Sequence, residues 1–279
     1  MIDLHVHTTY SDGQYSPADI IKLAADAGIK TLAITDHDSV GAVQKGAVLA
    51  AENGMDFISG VELSVRGSKE LHILGYDLDC TNEALLRECE KYTSERIKRL
   101  ERVLDYLLEY NVELTIKDVQ NVAEGRAFIG RVHIAAAMQK KGYVSDISEA
   151  FDKYIVTSEF AKVKRPKPSD SEGISLIRNA GGVPVLAHPG KLKLDNSKLE
   201  ELVRRLMDFG LMGLECFYST HTDVQTKEYL SLAKKYNLLV TCGSDFHSEK
   251  VKPDVKIGID ISSSFNCSKI AEQLRSVKR

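Results

Sequence analysis

Five cysteines in a chain of 279 residues are too few and too scattered to hold a fold together. Cys80, Cys89, Cys216, Cys242 and Cys267 are odd in number and never spaced CxxC, which argues against a disulfide framework or a thiolate zinc knuckle and leaves buried or idle thiols. No window approaches the roughly 18 consecutive apolar residues of a membrane span, so no membrane partner is expected. The first residues lack a basic region followed by an apolar stretch, and a cleaved leader would remove His5 and His7; a cytoplasmic location is the expectation. The formal net charge of -3 lacks the basic excess of a dedicated duplex-DNA binder, so any anionic ligand must meet a local cluster of cations. Neither GxGxxG nor GxxxxGK[ST] follows the first strand-like run, which weakens the nucleotide-fold alternatives. Internal repeats, low-complexity tracts and flexible Gly/Ser linkers are missing too.

What is present alternates. "MIDLHVH", "SPADIIKLAADAG", "KTLAITDHD", "VGAVQKGAVLAAENG" and "DFISGVELSV" read as strand, helix, strand, helix, strand. The first helix is clearly punctuated, with Ser16 as N-cap, Pro17 at its first position, Asp19 at N3 and Gly28 just past its end. After "ELHILGYDL" the pattern changes, and residues 81–162 carry helical periodicity with no convincing strand. In that stretch Leu86, Cys89, Ile97, Leu100, Val103, Leu104 and Leu107 recur at three- and four-residue steps. Alternation then resumes through "VPVLAHP", "MGLECF" and "LLVTCGSDFH" to a final short strand around "VKIGID". The organisation expected is therefore a barrel of residues 1–80 and 163–279 interrupted by a helical insertion of residues 81–162 that contributes to substrate binding. With about seven or eight strands, nearly all joined by helices, a parallel barrel is favoured over an open doubly wound sheet.

Histidines fall on this frame in a pattern. Residues i and i+2 of a strand share a face, so His5 and His7 project side by side near the end of the first strand, a geometry suited to chelating one ion. His37 follows "TLAI", Glu62 closes "DFISGVE", His72 sits in "ELHILGY", His188 closes "VPVLAHP", and Asp245 and His247 close "LLVTCGSDFH". In a parallel barrel, strand ends converge on one rim, where such folds place their chemistry. Taken singly, Asp12 before Gly13 could make a turn, Asp36 or Asp38 could cap a helix, His188 could be a loop histidine and His72 a core one. The joint pattern carries the weight, with Asp36 expected to support a ligand rather than be one. Imidazoles and carboxylates without thiolates suit Mn²⁺, Zn²⁺ or Fe²⁺, and nine candidate ligands fit two or three ions with a bridging carboxylate.

Together, "DLHVHTTYSDG", "ITDHDSV", "GVELS", "LAHPG" and "GSDFH" resemble the PHP (polymerase and histidinol phosphatase) superfamily. "IGRVHIAAAMQKKGYV" and the stretch from "GLMGLECFYSTH" to "GSDFH" are similar to its subgroup of 3′,5′-nucleotide bisphosphate phosphatases and oligoribonucleotide phosphoesterases, with Val132 where that subgroup usually has proline. The resemblance implies a distorted (β/α)₇ TIM-like barrel with a trinuclear centre. Its first metal would take His5, His7, Glu62 and Asp245; its second, Asp12, His37 and His247; its third, Glu62 as bridge with His72 and His188. It implies hydrolysis of nucleotide phosphate esters, 3′,5′-bisphosphates or short 5′-phosphorylated RNA, by a metal-bridged hydroxide attacking phosphorus in line. Asp12, His37, Glu62 and Asp245 would then serve catalysis directly. His221 in "YSTH" is a candidate proton donor and substrate contact, and Arg131 and His133 in "GRVH" are candidate phosphate contacts. No obligate protein partner is evident. The competing expectations are a histidinol-phosphate-type phosphatase of small metabolites and, from another class, a non-catalytic metal-binding regulatory domain.

Overall fold

A computed structural model of the chain describes residues 1–68, 70–123, 129–249, 252–261 and 267–277. Strands β1 (Ile2–Val6), β2 (Thr31–Ile34), β3 (Asp56–Ser64), β4 (His72–Tyr76), β5 (Val183–Leu186), β6 (Gly213–Tyr218) and β7 (Leu239–Gly243) form one sheet in chain order. The chain leaving β7 stays beside β1, with Asp245 N–H donating to His5 O at 2.7 Å and His7 N–H to Phe246 O at 2.9 Å, so the sheet is a nearly closed barrel. The Tyr76 hydroxyl reaches from β4 to the Leu4 carbonyl on β1 at 2.8 Å. Because those strands are not sheet neighbours, that bond crosses the barrel, among buried Ile2, Leu74 and Val185.

The helices are α1 (Pro17–Asp26), α2 (Val43–Glu52), α3 (Glu83–Leu108), α4 (Ile116–Val122), α5 (Arg131–Lys140), α6 (Ile147–Ala150), α7 (Asp170–Asn179), α8 (Asn196–Asp208), α9 (Asp223–Lys235) and α10 (Cys267–Ser276). The α1 punctuation is as expected: Ser16 Oγ accepts from Asp19 N–H, Asp19 Oδ2 accepts from Ser16 N–H, and Gly28 takes φ +73°. Its buried Ile20 and Ile21 pack with Val6, Leu32 and Phe246. Burying each isoleucine is worth about 1.5–3 kcal/mol, more than the caps supply.

Two expectations are corrected. First, the barrel is not wholly parallel: β4 pairs antiparallel with both β3 and β5. No helix separates β3 from β4, and a short connection can only return the chain as a hairpin. Second, "VKIGID" forms no strand. Ile259 makes a single antiparallel bridge with Ile2, and Gly258 at φ +96° breaks the extended course beside it.

The chain divides into two compact units, residues 1–89 with 167–279, and residues 90–166. The second unit is built of helices around Leu100, Val103, Leu107, Ile134, Met138 and Phe160, with no strand among its described residues. Within the expected α3 stripe Cys89, Leu100, Val103 and Leu107 are buried, but Leu86 and Ile97 are exposed. Cys80, Cys89, Cys216 and Cys242 are free thiols, all but Cys80 buried, and the Cys267 side chain lies outside the described residues.

Candidate metal centre

Five imidazoles form a closed ring around one carboxylate. Ring centroids are 5.2 Å apart for His5 and His7, 4.6 Å for His7 and His37, 5.0 Å for His37 and His72, 5.2 Å for His72 and His188, and 5.6 Å for His188 and His5. Glu62 is at the middle. Its Oε1 lies 2.8 Å from His72 Nδ1 and 2.9 Å from His188 Nε2, and its Oε2 lies 2.8 Å from His37 Nδ1, 3.4 Å from His5 Nε2 and 3.3 Å from His7 Nε2. Asp245 Oδ1 sits 3.2 Å from His7 Nε2 and 3.7 Å from His5 Nε2. A sixth imidazole, His247, stacks on His7 at 4.1 Å and places Nε2 3.1 Å from Asp12 Oδ1.

The strands explain why these residues meet. His5 and His7 share a face at the end of β1, and Glu62 lies near the end of β3, where Asp38 N–H donates to its carbonyl at 2.9 Å. His72 is the first residue of β4, paired with Ser64, so it reaches the same rim only because β4 runs backwards. Two ligand candidates hold left-handed backbone, His188 at φ 26° and Asp245 at φ 56°. Such conformations cost about 1–3 kcal/mol each and persist when the surrounding structure over-determines them. For His188 the holding interaction is its N–H, which donates to Glu215 Oε2 at 2.6 Å.

Glu215 is the supporting residue that sequence reasoning missed. Its Oε1 also faces His5 Nδ1 at 3.0 Å, which fixes the ring with Nε2 aimed into the cluster. The available signal was an acid in the apolar strand "GLECFY", since a buried carboxylate needs partners. Tyr218, Lys191 and Lys252 were missed as well: each donates to Asp245 Oδ2 at 2.7 Å, leaving Oδ1 to the imidazoles. Asp36 is buried and accepts from Thr8 N–H at 2.8 Å, Thr8 Oγ1 at 2.6 Å and Ser11 Oγ at 2.5 Å. Ser11 Oγ in turn lies 3.2 Å from His7 Nδ1, so Asp36 supports that ring as expected. Neither Asp36 nor Asp38 caps α2: its N-cap is Ala42, and Asp38 Oδ1 accepts from Ser64 N–H at 2.9 Å.

The electrostatics are those of a cation site. Burial works against ionising Glu62, Asp12 and Asp245, yet neighbouring imidazoles, and for Asp245 also Lys252 and Lys191, hold all three well below the usual carboxylate range. Burial likewise opposes charging His7, but the adjacent carboxylates of Asp245, Glu62 and Asp12 raise it to about 9. His5 is raised too, with Glu215, Glu62 and Asp245 overcoming burial, whereas burial drives His37 down to about 4 and lowers His188. His5 Nε2, His7 Nε2, Asp12 Oδ1 and Glu62 Oε2 are buried without hydrogen-bond geometry to any partner. Buried polar atoms left in this way cost about 1–3 kcal/mol each unless something else binds them. Donor atoms of His7, Asp12, His37 and His247, of His5, His7 and Asp245, of His5, Glu62 and His188, and of His37, Glu62 and His72 lie within 4.8 Å of one another. The chemistry of this donor set fits divalent metal ions of the Mn²⁺, Zn²⁺ or Fe²⁺ kind.

All nine ligand candidates are therefore brought together. His221 is placed differently from its expected role. Its Nδ1 donates to Cys216 O at 3.0 Å and its Nε2 accepts from Gly190 N–H at 3.3 Å. The ring thus braces the turn after His188 and offers no free N–H to a substrate. Arg131 and His133 open α5 in the other unit, where His133 Nδ1 accepts from Gly130 N–H at 3.0 Å.

Known proteins resemble this chain over most of its length. A 3′,5′-nucleoside bisphosphate phosphatase of Chromobacterium violaceum is 29% identical over 248 residues, covering 88% of this chain and 87% of that protein. The 5′-3′ exoribonuclease Rnm of Escherichia coli is also 29% identical over 248 residues, covering 88% and 84%. A solved structure from Chromobacterium violaceum, described as an amidohydrolase with bound sulfate and no metal, superposes with a TM-score of 0.81 at 29% identity, over 93% of this chain and 91% of that one. Another from Bifidobacterium adolescentis, carrying the description of a metal-dependent phosphoesterase, gives 0.80 at 29% identity over 99% and 96%. The pattern of the PHP domain matches residues 3–209, the span that supplies β1 through β5 and seven of the nine clustered ligands. With the histidine ring assembled around Glu62 on that span, the chain belongs to the PHP domain family.

Proposed function

We propose that this metal-dependent phosphoesterase hydrolyses phosphate esters of nucleotides, either nucleoside 3′,5′-bisphosphates or short 5′-phosphorylated RNA, in the cytoplasm. The observation that carries the reading is the ring of five imidazoles on Glu62, an arrangement that apolar packing does not require and that divalent cations would satisfy. His5, His7, Glu62 and Asp245 would hold one cation, Asp12, His37 and His247 a second, and His72 and His188 with Glu62 a third. Bound there, such ions supply positive charge to phosphoryl oxygens and make water more acidic.

The chain's own residues do the positioning. Glu215 and the Asp36–Ser11 pair hold His5 and His7 in fixed orientations, so neither of these two imidazoles has to reorganise as charge develops. Asp12 has the most exposed side chain of the three clustered carboxylates, at 25%, and so stands on the substrate's approach. The Lys191 side chain, 28% exposed and with its amine over the Tyr218 ring, adds a cation at the rim for an anionic substrate. Arg131 and His133 are assigned to substrate phosphate, the guanidinium as a fork. The nucleotide class is supported by what the two relatives named above act on. Among the described residues no helix is long and apolar enough to cross a membrane.

The test is a panel of metal-loaded protein against adenosine 3′,5′-bisphosphate, a 5′-phosphorylated oligoribonucleotide and histidinol phosphate, with product release measured. Preference for either nucleotide substrate is expected, with loss of turnover on chelation and in His37→Ala. Preference for histidinol phosphate would overturn the nucleotide reading. Full metal occupancy with silence on all three would point instead to a binding domain.

A further inference from the structure

The seam between β7 and β1 is closed by a side chain. These two end strands of the sheet share no ladder, and the chain beyond β7 meets β1 only at isolated bridges, Val6 with Phe246 and Ile2 with Ile259. The approach is close, since a Cβ on Gly243 would fall onto His5 Cβ and stand 2.8 Å from His5 N. Backbone N–H groups along such a seam need acceptors that no ladder supplies. Asp3 supplies them. Its Oδ1 accepts from His5 N–H at 3.2 Å and from Ser244 N–H at 2.9 Å, and its Oδ2 accepts from Ser244 Oγ at 2.5 Å and from Gly258 N–H at 2.7 Å.

Asp3 is fully buried, and in all four of these bonds it is the acceptor. A buried carboxylate is costly unless its oxygens are bonded, and four donors call for a group that only accepts. What the bonds hold is specific. Ser244 Oγ passes the contact on by accepting from Phe246 N–H at 3.1 Å, so the residues on both sides of Asp245 are tied to Asp3. Between them Asp245 takes φ 56°, and its own N–H donates to His5 O at 2.7 Å. Across the seam, the oxygen that accepts from Ser244 N–H also accepts from His5 N–H. The backbones that carry His5 and Asp245 are thus set against each other by one atom, Asp3 Oδ1, and Asp245 Oδ1 comes to lie 3.7 Å from His5 Nε2.

We infer that Asp3, acting through Ser244, is a positioning residue for the cation assigned to His5, His7, Glu62 and Asp245: it fixes the separation of His5 and Asp245 across the seam without touching the cation. The inference rests on the assignment of those four donors to one cation. Isosteric asparagine cannot take the place of Asp3. With the amide oxygen at the Oδ1 position, the NH₂ faces the Gly258 N–H; with the amide turned over, it faces the N–H groups of His5 and Ser244. Either way a backbone donor loses its acceptor, and the seam must shift.

The test titrates the full chain with Mn²⁺ and reads the free ion by electron paramagnetic resonance, with circular dichroism to check that each variant is folded. In Asp3→Asn one bound equivalent should weaken about 10–100-fold. Turnover should fall at limiting Mn²⁺ and recover as Mn²⁺ is raised. Ser244→Ala, which keeps the carboxylate but removes the acceptor of the Phe246 N–H, should weaken the same equivalent by about three- to tenfold. Added to Asp3→Asn it should weaken that equivalent no further, because the two residues act in series. Asp245→Asn alters the donor itself and is the control on the ligand assignment. Folded variants of Asp3 and Ser244 that bind Mn²⁺ within about twofold of wild type, beside an impaired Asp245→Asn, overturn the inference and leave the ligand assignment standing. Weakening spread evenly over every equivalent makes Asp3 a general stabiliser and overturns it as well. Wild-type affinity in Asp245→Asn overturns the ligand assignment, and the inference with it. Should Asp3→Asn not fold, Ser244→Ala decides by itself at the same twofold boundary.

Discussion

Replacing Glu215 by glutamine tests how the centre is held without touching a cation ligand. Two donors converge on this carboxylate, the His188 N–H on Oε2 at 2.6 Å and the His5 ring at Nδ1 on Oε1 at 3.0 Å. A carboxylate accepts from both; an amide offers one oxygen and one NH₂. Should the amide oxygen stay on His188, the NH₂ faces His5 Nδ1, which can accept only in the tautomer that carries hydrogen on Nε2. That nitrogen is the one 3.4 Å from Glu62 Oε2, so its lone pair is withdrawn from any cation. Should the amide turn over, the buried His188 N–H is left opposite a donor, at about 1–3 kcal/mol, and nothing then holds its left-handed backbone. Either way, metal affinity should fall about 10–100-fold, or about 1.4–2.7 kcal/mol. Competition against a chromophoric chelator measures the affinity, and turnover at rising metal concentration should recover in part. A folded Glu215→Gln protein with wild-type affinity would refute the reasoning that this carboxylate sets the His5 tautomer.

Other expectations follow from the same geometry. Glu62→Gln removes the charge that the five imidazoles share, so bound-metal stoichiometry measured by elemental analysis should fall and turnover should drop by at least about 100-fold, beyond the range for an outer neighbour. Metal uptake should depend on pH, because a cation must displace the proton that His7 holds up to about pH 9 in the metal-free protein. Affinity should therefore weaken as pH falls below that value, by up to about tenfold per unit for this one proton and more steeply if His5 also releases one; a flat profile between pH 6 and 8 would contradict it. Gly243→Ala would drive a new Cβ into His5 Cβ and set it 2.9 Å from Glu215 Oε1, so a urea titration should show a destabilisation of about 1–3 kcal/mol together with weaker metal binding. An unchanged midpoint there would mean that β7 and β1 can move apart more freely than their close approach suggests.

Local signals were the legible ones. The i, i+2 spacing of His5 and His7, the Ser16–Asp19 capping pair and the apolar strand cores depend on periodicities of two and 3.6 residues that any reader of the chain can count. They located the helices around the barrel and put most of the ligand candidates at strand ends. "VKIGID" looked like a strand by the same rules and is not one, since β-branched composition gives a propensity while the partner edge decides. His221 looked chemically available until Cys216 O and Gly190 N–H were seen to occupy both of its ring nitrogens.

By itself, the amino-acid order determined which residues have the chemistry to bind cations, and the strand–helix alternation that carries most of them to one rim. Tertiary structure decided the rest. His72 joins the cluster because β4 is reversed, Glu215 matters because β6 sets it between His5 and His188, and Asp245 is in reach because the chain beyond β7 closes against β1. Each of these depends on strand direction or on meetings between residues far apart in sequence. Periodicity reports which way a side chain faces along its own strand, but only the closed sheet says what stands opposite.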